Sequence, residues 1–388
     1  MKIAFTGGGS GGHVLPIISI IRQLKNIAPY FEKPAAFGKK REELEIFYIG
    51  PKEDMNILLE QEGIKVKNVI SGKIRRYATP LSILQNIFDL FILIPIGILQ
   101  SIFLLLYEMP DCKLVFSKGG YGAFPFTIGA WIMGVPIFMH ESDSIPGLTN
   151  KRLAEIAKVV FASFPDALNK LPKDKTILTG NPIRQEIIGA QRDAARNVLG
   201  IAGEKPVVFF IGGSQGSQRF NDFILNNLPR LLVKYEIIHQ TGAKNFEQVK
   251  AEAKLMISQG QQAFYHPFGF MNDYDYANAL SACDVIVSRS GAGSIFEIAS
   301  AGKPAILVPL PEAAQNHQFH NADAYARAGA AIVIEEGNFA INFFIQQLDT
   351  ILNNKTRMAQ MCDSANNFSR PQAAMQIAAY IRDFLAAI

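Results

Sequence analysis

One carboxylate, Glu297, follows a turn of small residues in the stretch 285–309, VIVSRSGAGSIFEIASAGKPAILVP. Residues 285–288 have strand composition, and Gly291, Ala292, Gly293 and Ser294 let backbone come close to a ligand. The residues after them can begin a helix whose free amides face an anion, which reads as a nucleotide or phosphate site. A carboxylate there can accept two ribose hydroxyls. A second glycine-rich stretch, GGGSGG at 7–12, ends on His13, an imidazole placed to take a proton from a hydroxyl near neutral pH. Its spacing lacks the ending of a Walker loop and the distal acid of a G-x-G-x-x-G fingerprint, which weighs against triphosphate hydrolysis and nicotinamide binding. Taken singly, the first stretch could be a tight strand-to-helix turn, and the histidine of the second one that caps or packs against its turn.

The polar run His140, Glu141, Ser142 and Asp143 follows an apolar segment at 136–139. It therefore falls at a strand's carboxyl end, where open α/β sheets place ligands, and is expected to bind rather than support. Lys118, Gly119, Gly120 and Tyr121 follow the preceding strand and are expected to face the same crevice. Farther on, Ser214 in GGSQG can donate to a phosphate. Asn316, His317, Gln318, His320 and Asn321 suit sugar hydroxyls. Asp273 and Asp275 form a D-x-D that could hold a cation, but they precede a helical run and are expected to N-cap it. No metal and no cofactor are expected.

Both halves open alike, with a short strand (2–6, then 207–211), a glycine loop and a helical pattern; Pro229 is expected to stop the second helix. Apolar runs alternate with helical patterns throughout, which predicts an α/β chain of two doubly wound, Rossmann-like domains. The expected division is 1–181 and 182–370, at TGNPIR (179–184), with a helix at 371–388 returning to the first domain. The 388 residues suit two domains, and a formal net charge of +4 does not suggest a nucleic-acid partner. Three scattered cysteines fit a reducing cytoplasm, and the N-terminus reads as a strand rather than an export leader.

Residues 81–107 are apolar enough to cross a bilayer, with Asp89 the only formal charge. Strand-like segments of one domain lie on either side, and Pro95 and Gly97 are expected to interrupt the stretch. An interfacial helix or hairpin is the favoured reading, with a buried core helix and a true span as alternatives. Ile87, Phe88 and Phe91 would enter the membrane, and Lys73, Arg75 and Arg76 would meet its anionic surface.

With these blocks assembled, the chain resembles the MurG family of bacterial lipid-I N-acetylglucosaminyltransferases along nearly its whole length. The resemblance rests on GGGSGGHVLP (7–16), GGYGAFPFTIGAWIMGVPIFMHESDSIPGLTN (119–150), TGNPIR (179–184), GGSQGSQRFN (212–221), RSGAGSIFEIASAGKPAILVP (289–309) and HQFHNA (317–322). It implies a GT-B fold with an interdomain cleft, UDP-N-acetylglucosamine (UDP-GlcNAc) on the C-terminal domain and the lipid acceptor on the N-terminal one. The implied reaction is inverting, metal-independent transfer to the 4-hydroxyl of the muramoyl sugar of lipid I, giving lipid II for peptidoglycan. The place of action would be peripheral, on the cytoplasmic face of the cell membrane, with a cell-wall synthesis complex as a further candidate partner.

Carried over by position, Glu297 matches the ribose-binding glutamate and Ser214 the diphosphate contact, while Arg184 and the backbone of Phe270 and Met271 match the uracil environment. Gln318 and His317 stand at the glutamine pair near the sugar, and Ala292, Gly293 and Ser294 line the donor. His13 matches the loop histidine proposed in catalysis, with Asp143 the second candidate base and a further donor contact. Gly9, Ser10, Gly11 and Gly12 would meet the acceptor diphosphate, the last three reaching the donor as well; Gly119, Gly120 and Tyr121 would complete the acceptor side. Departures from the better-known pattern are Asp143 for asparagine, His317 for glutamine, and Gly293 and Ser294 for a Leu-Thr pair.

Overall fold

The computed structural model describes residues 1–8, 11–27, 44–73, 75, 79–213 and 216–388. Gly9, Ser10, Arg76 and Ser214, all expected to be contact residues, lie outside the described residues. The strands are β1 (Lys2–Thr6), β2 (Glu45–Gly50), β3 (Lys65–Asn68), β4 (Cys112–Ser117), β5 (Ile137–Glu141), β6 (Val159–Ala162) and β7 (Thr176–Leu178) in a first sheet. A second sheet holds β8 (Val207–Ile211), β9 (Glu236–Gln240), β10 (Tyr265–Phe268), β11 (Val285–Ser288), β12 (Ala305–Leu307) and β13 (Ala331–Val333). Their orders are β3-β2-β1-β4-β5-β6-β7 and β10-β9-β8-β11-β12-β13, with every neighbouring pair parallel. Strands such as VVFFI at β8 are apolar throughout because helices cover both faces of a parallel sheet.

The strand order reverses once in each sheet, between β1 and β4 and between β8 and β11. Thr6 pairs with Ser117 and Ile211 with Ser288, so each glycine loop emerges beside the loop of the strand across the reversal. Reversal points of this kind are where doubly wound sheets hold ligands.

The chain forms two compact units, Met1–Pro182 with Gln372–Ile388, and Ile183–Pro371. In the first, Ile3 and Phe5 of β1 pack with Ile17 and Ile21 of helix Gly11–Ile27 and with Ile377 and Ile381 of the terminal helix Ala373–Ala386. In the second, Phe210, Leu228, Leu231 and Phe344 anchor one core.

Two expected helix breaks do not occur. Pro229 lies inside helix Gln218–Lys234, where buried Leu228, Leu231 and Leu232 hold both halves to the core and the proline carbonyl accepts from Gln261 Nε2 at 2.9 Å. Pro95 lies inside a continuous helix, Pro80–Glu108. A π-helical turn, Asp89–Leu93, widens the ladder just before it, where the missing proline N–H and the ring's clash with the preceding turn would otherwise break the helix. Gly97 does not interrupt the helix either. It lets the helix approach Ile70 and Pro125 so closely that a Cβ would collide with the Ile70 carbonyl.

Candidate functional site

In the first unit the loop after β1 leads into helix Gly11–Ile27, whose first turn holds Gly11, Gly12 and His13. The His13 ring lies against the backbone of two glycines: a Cβ on Gly120 would stand 3.1 Å from its Cε1, and one on Gly8 3.7 Å from its Nε2. The two loops are stitched together by Gly8 N donating to Gly119 O at 3.1 Å and Lys118 N donating to Thr6 O at 2.7 Å. Gly119 and Gly120 have φ of +76° and +80°, left-handed values open to glycine at no steric cost. Tyr121 donates its hydroxyl to Glu53 Oε1 at 2.7 Å, and Lys73 Nζ lies 5.5 Å from the centre of its ring. Burial, followed by that carboxylate, pushes the phenol up to about 12.

The expected crevice-facing role of Lys118, His140 and Glu141 is corrected by the structure. All three side chains are buried. Lys118 Nζ reaches His140 Nδ1 at 2.6 Å, Ser142 Oγ at 2.5 Å and Asn181 Oδ1 at 3.3 Å. Glu141 accepts from Asp143 N at 2.8 Å, Gly147 N at 3.3 Å and Asn150 Nδ2 at 2.8 Å, while Asn150 Oδ1 accepts from Gly120 N at 3.2 Å. Polar groups enclosed at a strand end must be paired, so these residues shape the loops and leave Asp143, half-buried, on the loop they hold. Burial, and then the charge of Lys118, keep His140 well below its ordinary pKa and hence neutral.

In the second unit helix Ala292–Ser300 starts directly after β11, with Gly291 as its N-cap and Ala292, Gly293 and Ser294 in its first turn. Its amides point to the sheet's reversal and favour an anion. Glu297, buried, accepts from Arg184 Nε at 2.7 Å and Nη2 at 2.9 Å. Arg184 stacks 3.8 Å above the Tyr276 ring, with Asp273 Oδ1 at 3.7 Å. Burial works against the guanidinium charge, and Glu297 outweighs it. Glu297 also accepts from the Tyr276 hydroxyl, and since a carboxylate has about four acceptor positions, one stays open for a ribose hydroxyl beside these three bonds. Met271 is buried just before helix Asp273–Ala282, which carries Tyr276. That helix is capped by Asn272, whose Oδ1 accepts from Asp275 N at 2.8 Å, so the expected capping by Asp273 and Asp275 is corrected to first-turn acids.

Gln318 and His317 begin helix His317–Arg327. Gln318 Oε1 accepts from Leu310 N at 3.0 Å, and His317 Nδ1 lies 2.7 Å from Ala314 O. Gln315 and Asn316, just before them, have φ of +56° and +54°, a left-handed pair of non-glycine residues of the kind found where function overrides local preference. Asn321, expected at the sugar, is fully buried and donates to Ser290 O at 3.3 Å, which makes it a support of the RSGAG turn.

Helix Pro80–Glu108 has its polarity turned inside out. Its most apolar stretch has a mean hydropathy of 2.4 and only 28% of it is buried, with Phe91 68% and Leu99 66% exposed and Ile87 and Phe88 also open. Its polar side chains instead face the protein: Asp89 pairs with Arg75 Nη1 at 2.7 Å and accepts from Lys73 N at 3.0 Å. Asn86 brackets the Arg75 backbone at 2.7 Å on both sides, and Gln100 accepts from Ile70 N at 2.9 Å. The hairpin and buried-core readings are thereby corrected: the helix is single and mostly uncovered.

The two units match known sequences separately and together. Residues 3–162 match the glycosyltransferase family 28 N-terminal domain and residues 207–377 its C-terminal domain. The chain is 35% identical, over 91% of its length and 92% of the relative's, to UDP-N-acetylglucosamine–N-acetylmuramyl-(pentapeptide) pyrophosphoryl-undecaprenol N-acetylglucosamine transferase 3 of Bacillus thuringiensis (strain Al Hakam). The chain belongs to glycosyltransferase family 28. A transferase of the same description from Clostridium tetani is 35% identical over 92% of this chain and 91% of its own. The crystal structure of Acinetobacter baumannii MurG superposes with a TM-score of 0.70 at 25% identity, covering 98% of this chain and 99% of that one. The fold is accordingly GT-B, two Rossmann-like domains. A Neisseria meningitidis UDP-GlcNAc 2-epimerase bound to UDP-GlcNAc shares the fold at 15% identity and a TM-score of 0.63.

Within this family 28 chain, sequence reasoning missed Arg289 as a positioning group. It is buried beside the reversal, with Nη1 3.1 Å from Val308 O, Nη2 3.3 Å from Ser217 Oγ and 2.5 Å from Glu336 Oε2, and its guanidinium 4.7 Å from the Phe220 ring centre. It ties β11 and the segment after β12 to the cap of helix Gln218–Lys234, which follows the glycine-rich stretch 212–216. The available signal was an arginine directly after an apolar strand, where no solvent-facing position is expected. Asn150 was read only as part of a motif and proves to be the link between Glu141 and Gly120.

Proposed function

We propose that this family 28 enzyme transfers N-acetylglucosamine from UDP-GlcNAc to the 4-hydroxyl of the muramoyl sugar of lipid I, with inversion and without a metal, giving lipid II for peptidoglycan. The observation that carries the reading is the full-length likeness to transferases of that printed description. The first unit would take the lipid acceptor and the second the nucleotide sugar. Glu297 would accept a ribose hydroxyl beside Arg184 and Met271. The helix start at Ala292, Gly293 and Ser294, together with the Ser214 hydroxyl, would stabilise negative charge on the departing UDP, the role a metal fills elsewhere. Gln318 and His317 would orient the sugar. Asp273 facing Arg184 at the start of a helix supports a structural rather than metal-holding D-x-D.

On the acceptor side, His13 is the first candidate to take the proton from the attacking hydroxyl, and Asp143 the second. Gly11, Gly12, Gly119, Gly120 and Tyr121 would border the acceptor diphosphate and sugar, with Gly9 and Ser10 completing the loop. The enzyme would sit peripherally on the cytoplasmic face of the membrane, Ile87, Phe88 and Phe91 in the interface and Lys73, Arg75 and Arg76 at anionic headgroups. Support for a helix lying in the interface rather than crossing it comes from β3 and β4, which flank it and belong to one sheet.

The test is transfer of labelled N-acetylglucosamine from UDP to a short-chain lipid I analogue with chelator present, beside diacylglycerol. Transfer to lipid I alone supports the reading. Transfer to diacylglycerol, donor binding without transfer, or loss of activity with chelator would each overturn a stated part of it.

A further inference from the structure

We propose that Lys118 is a positioning residue for the acceptor half of the site, holding the loop that carries Asp143 and, through that loop, the glycines against which His13 lies. The proposal rests on the transfer reading above. Lys118 directly follows β4 and is 1% exposed, so its ammonium is not placed to touch a substrate. Its Nζ meets three acceptors on three segments: His140 Nδ1 on β5, Ser142 Oγ in the following loop, and Asn181 Oδ1 just before the chain leaves the first unit. An ammonium has three N–H donors, so donors and acceptors match one to one.

Because His140 Nδ1 accepts from Lys118, its proton lies on Nε2, which donates to Gly180 O at 3.1 Å. The neighbouring Glu141 then gathers Asp143 N, Gly147 N and Asn150 Nδ2, and Asn150 passes the connection to Gly120 N. Gly120 has no Cβ to separate it from the His13 ring. A methionine would fill the place of Lys118 without the cost of desolvating a charge, so packing alone does not account for an amine there.

The charged and titratable groups facing this amine are His140 and Glu141 from β5 and Asp143 from the loop, with His13 of the first helix acting on His140. Burial lowers Lys118 to about 7, against the opposing pull of Glu141 and Asp143. Burial, and then Asp143, raise Glu141. The ammonium is present below that pH and lost above it. A neutral amine has two N–H groups for three acceptors and loses the charge that strengthens each bond, so the ties of the loop weaken as pH rises.

The experiment compares the unaltered enzyme with Lys118→Met and Ser142→Ala in transfer to a lipid I analogue, with UDP affinity and the pH profile of kcat measured alongside. The expected result for Lys118→Met is a fall in kcat of about tenfold or more with UDP affinity changed by less than about twofold, and loss of an alkaline limb present in the unaltered enzyme. Ser142→Ala removes a single oxygen; it should lower kcat about threefold and move the same limb. A kcat and pH profile like those of the unaltered enzyme in either variant would overturn the proposal. So would a loss of turnover that leaves the limb in place. Should Lys118→Met fail to fold, Ser142→Ala decides. Should the unaltered protein transfer to no lipid acceptor, the transfer reading fails instead. Amide exchange across residues 141–150 then decides for Lys118, faster in Lys118→Met as proposed or unchanged if it is wrong.

Discussion

The two sheets carry glycine loops at the same topological place but support them with different chemistry. Behind the first loop lies a buried set of groups, Lys118 lowered and Glu141 raised by burial, with a neutral His140 against the Lys118 amine. Behind the second lie guanidinium–carboxylate pairs, Arg184 with Glu297 and Arg289 with Glu336, in which arginine keeps its charge. The first arrangement holds its loops through groups that can gain or lose a proton, and the second through pairs that stay charged. The difference also extends outward: the first unit carries the uncovered apolar helix, while the second contributes no comparable span among the described residues.

Variants should separate along that line. The largest effect is expected from His13→Ala, a fall in turnover of about 10²–10⁴-fold with donor affinity nearly unchanged, read by single-turnover transfer and UDP-GlcNAc titration. Next is Glu297→Ala, which strands the buried Arg184 guanidinium and should weaken donor binding by about 2–5 kcal/mol, read by calorimetry. An unaltered donor affinity would remove Glu297 from the ribose role. Phe91→Glu should then reduce partition onto anionic vesicles by about tenfold or more while leaving UDP affinity intact, because it places a charge where apolar surface should be buried. Smallest is Lys73→Ala, about 1 kcal/mol of vesicle binding that disappears in high salt. A change in donor affinity from either membrane variant would blur the division between the units.

Much of this arrangement was legible in the sequence because strand composition and glycine loops obey local rules. β1, β8 and β11 begin and end where their apolar runs do. The helix start at Gly291 and Ala292 announces itself by its run of small residues. What was not legible depends on contacts distant in sequence. Pro229 and Pro95 failed to break their helices because a core and a π-turn absorb the cost. Lys118 and His140 read as crevice residues from their place after strands, and only the fold shows that they face each other within it. The pairing of Arg184 with Glu297 joins residues 113 apart, which no local pattern displays. The length and apolar character of the stretch 81–107 were legible, but the inward turn of Asp89, Asn86 and Gln100 was not.

The most direct measurement sets His13→Ala beside Glu297→Ala and records, for each, the donor dissociation constant and the single-turnover rate of N-acetylglucosamine transfer to a lipid I analogue at saturating UDP-GlcNAc. The account predicts opposite patterns: a lost rate with retained donor affinity for His13→Ala, and weakened donor affinity with a largely restored rate at saturation for Glu297→Ala. The same pattern in both variants, or a full rate in His13→Ala, would contradict it.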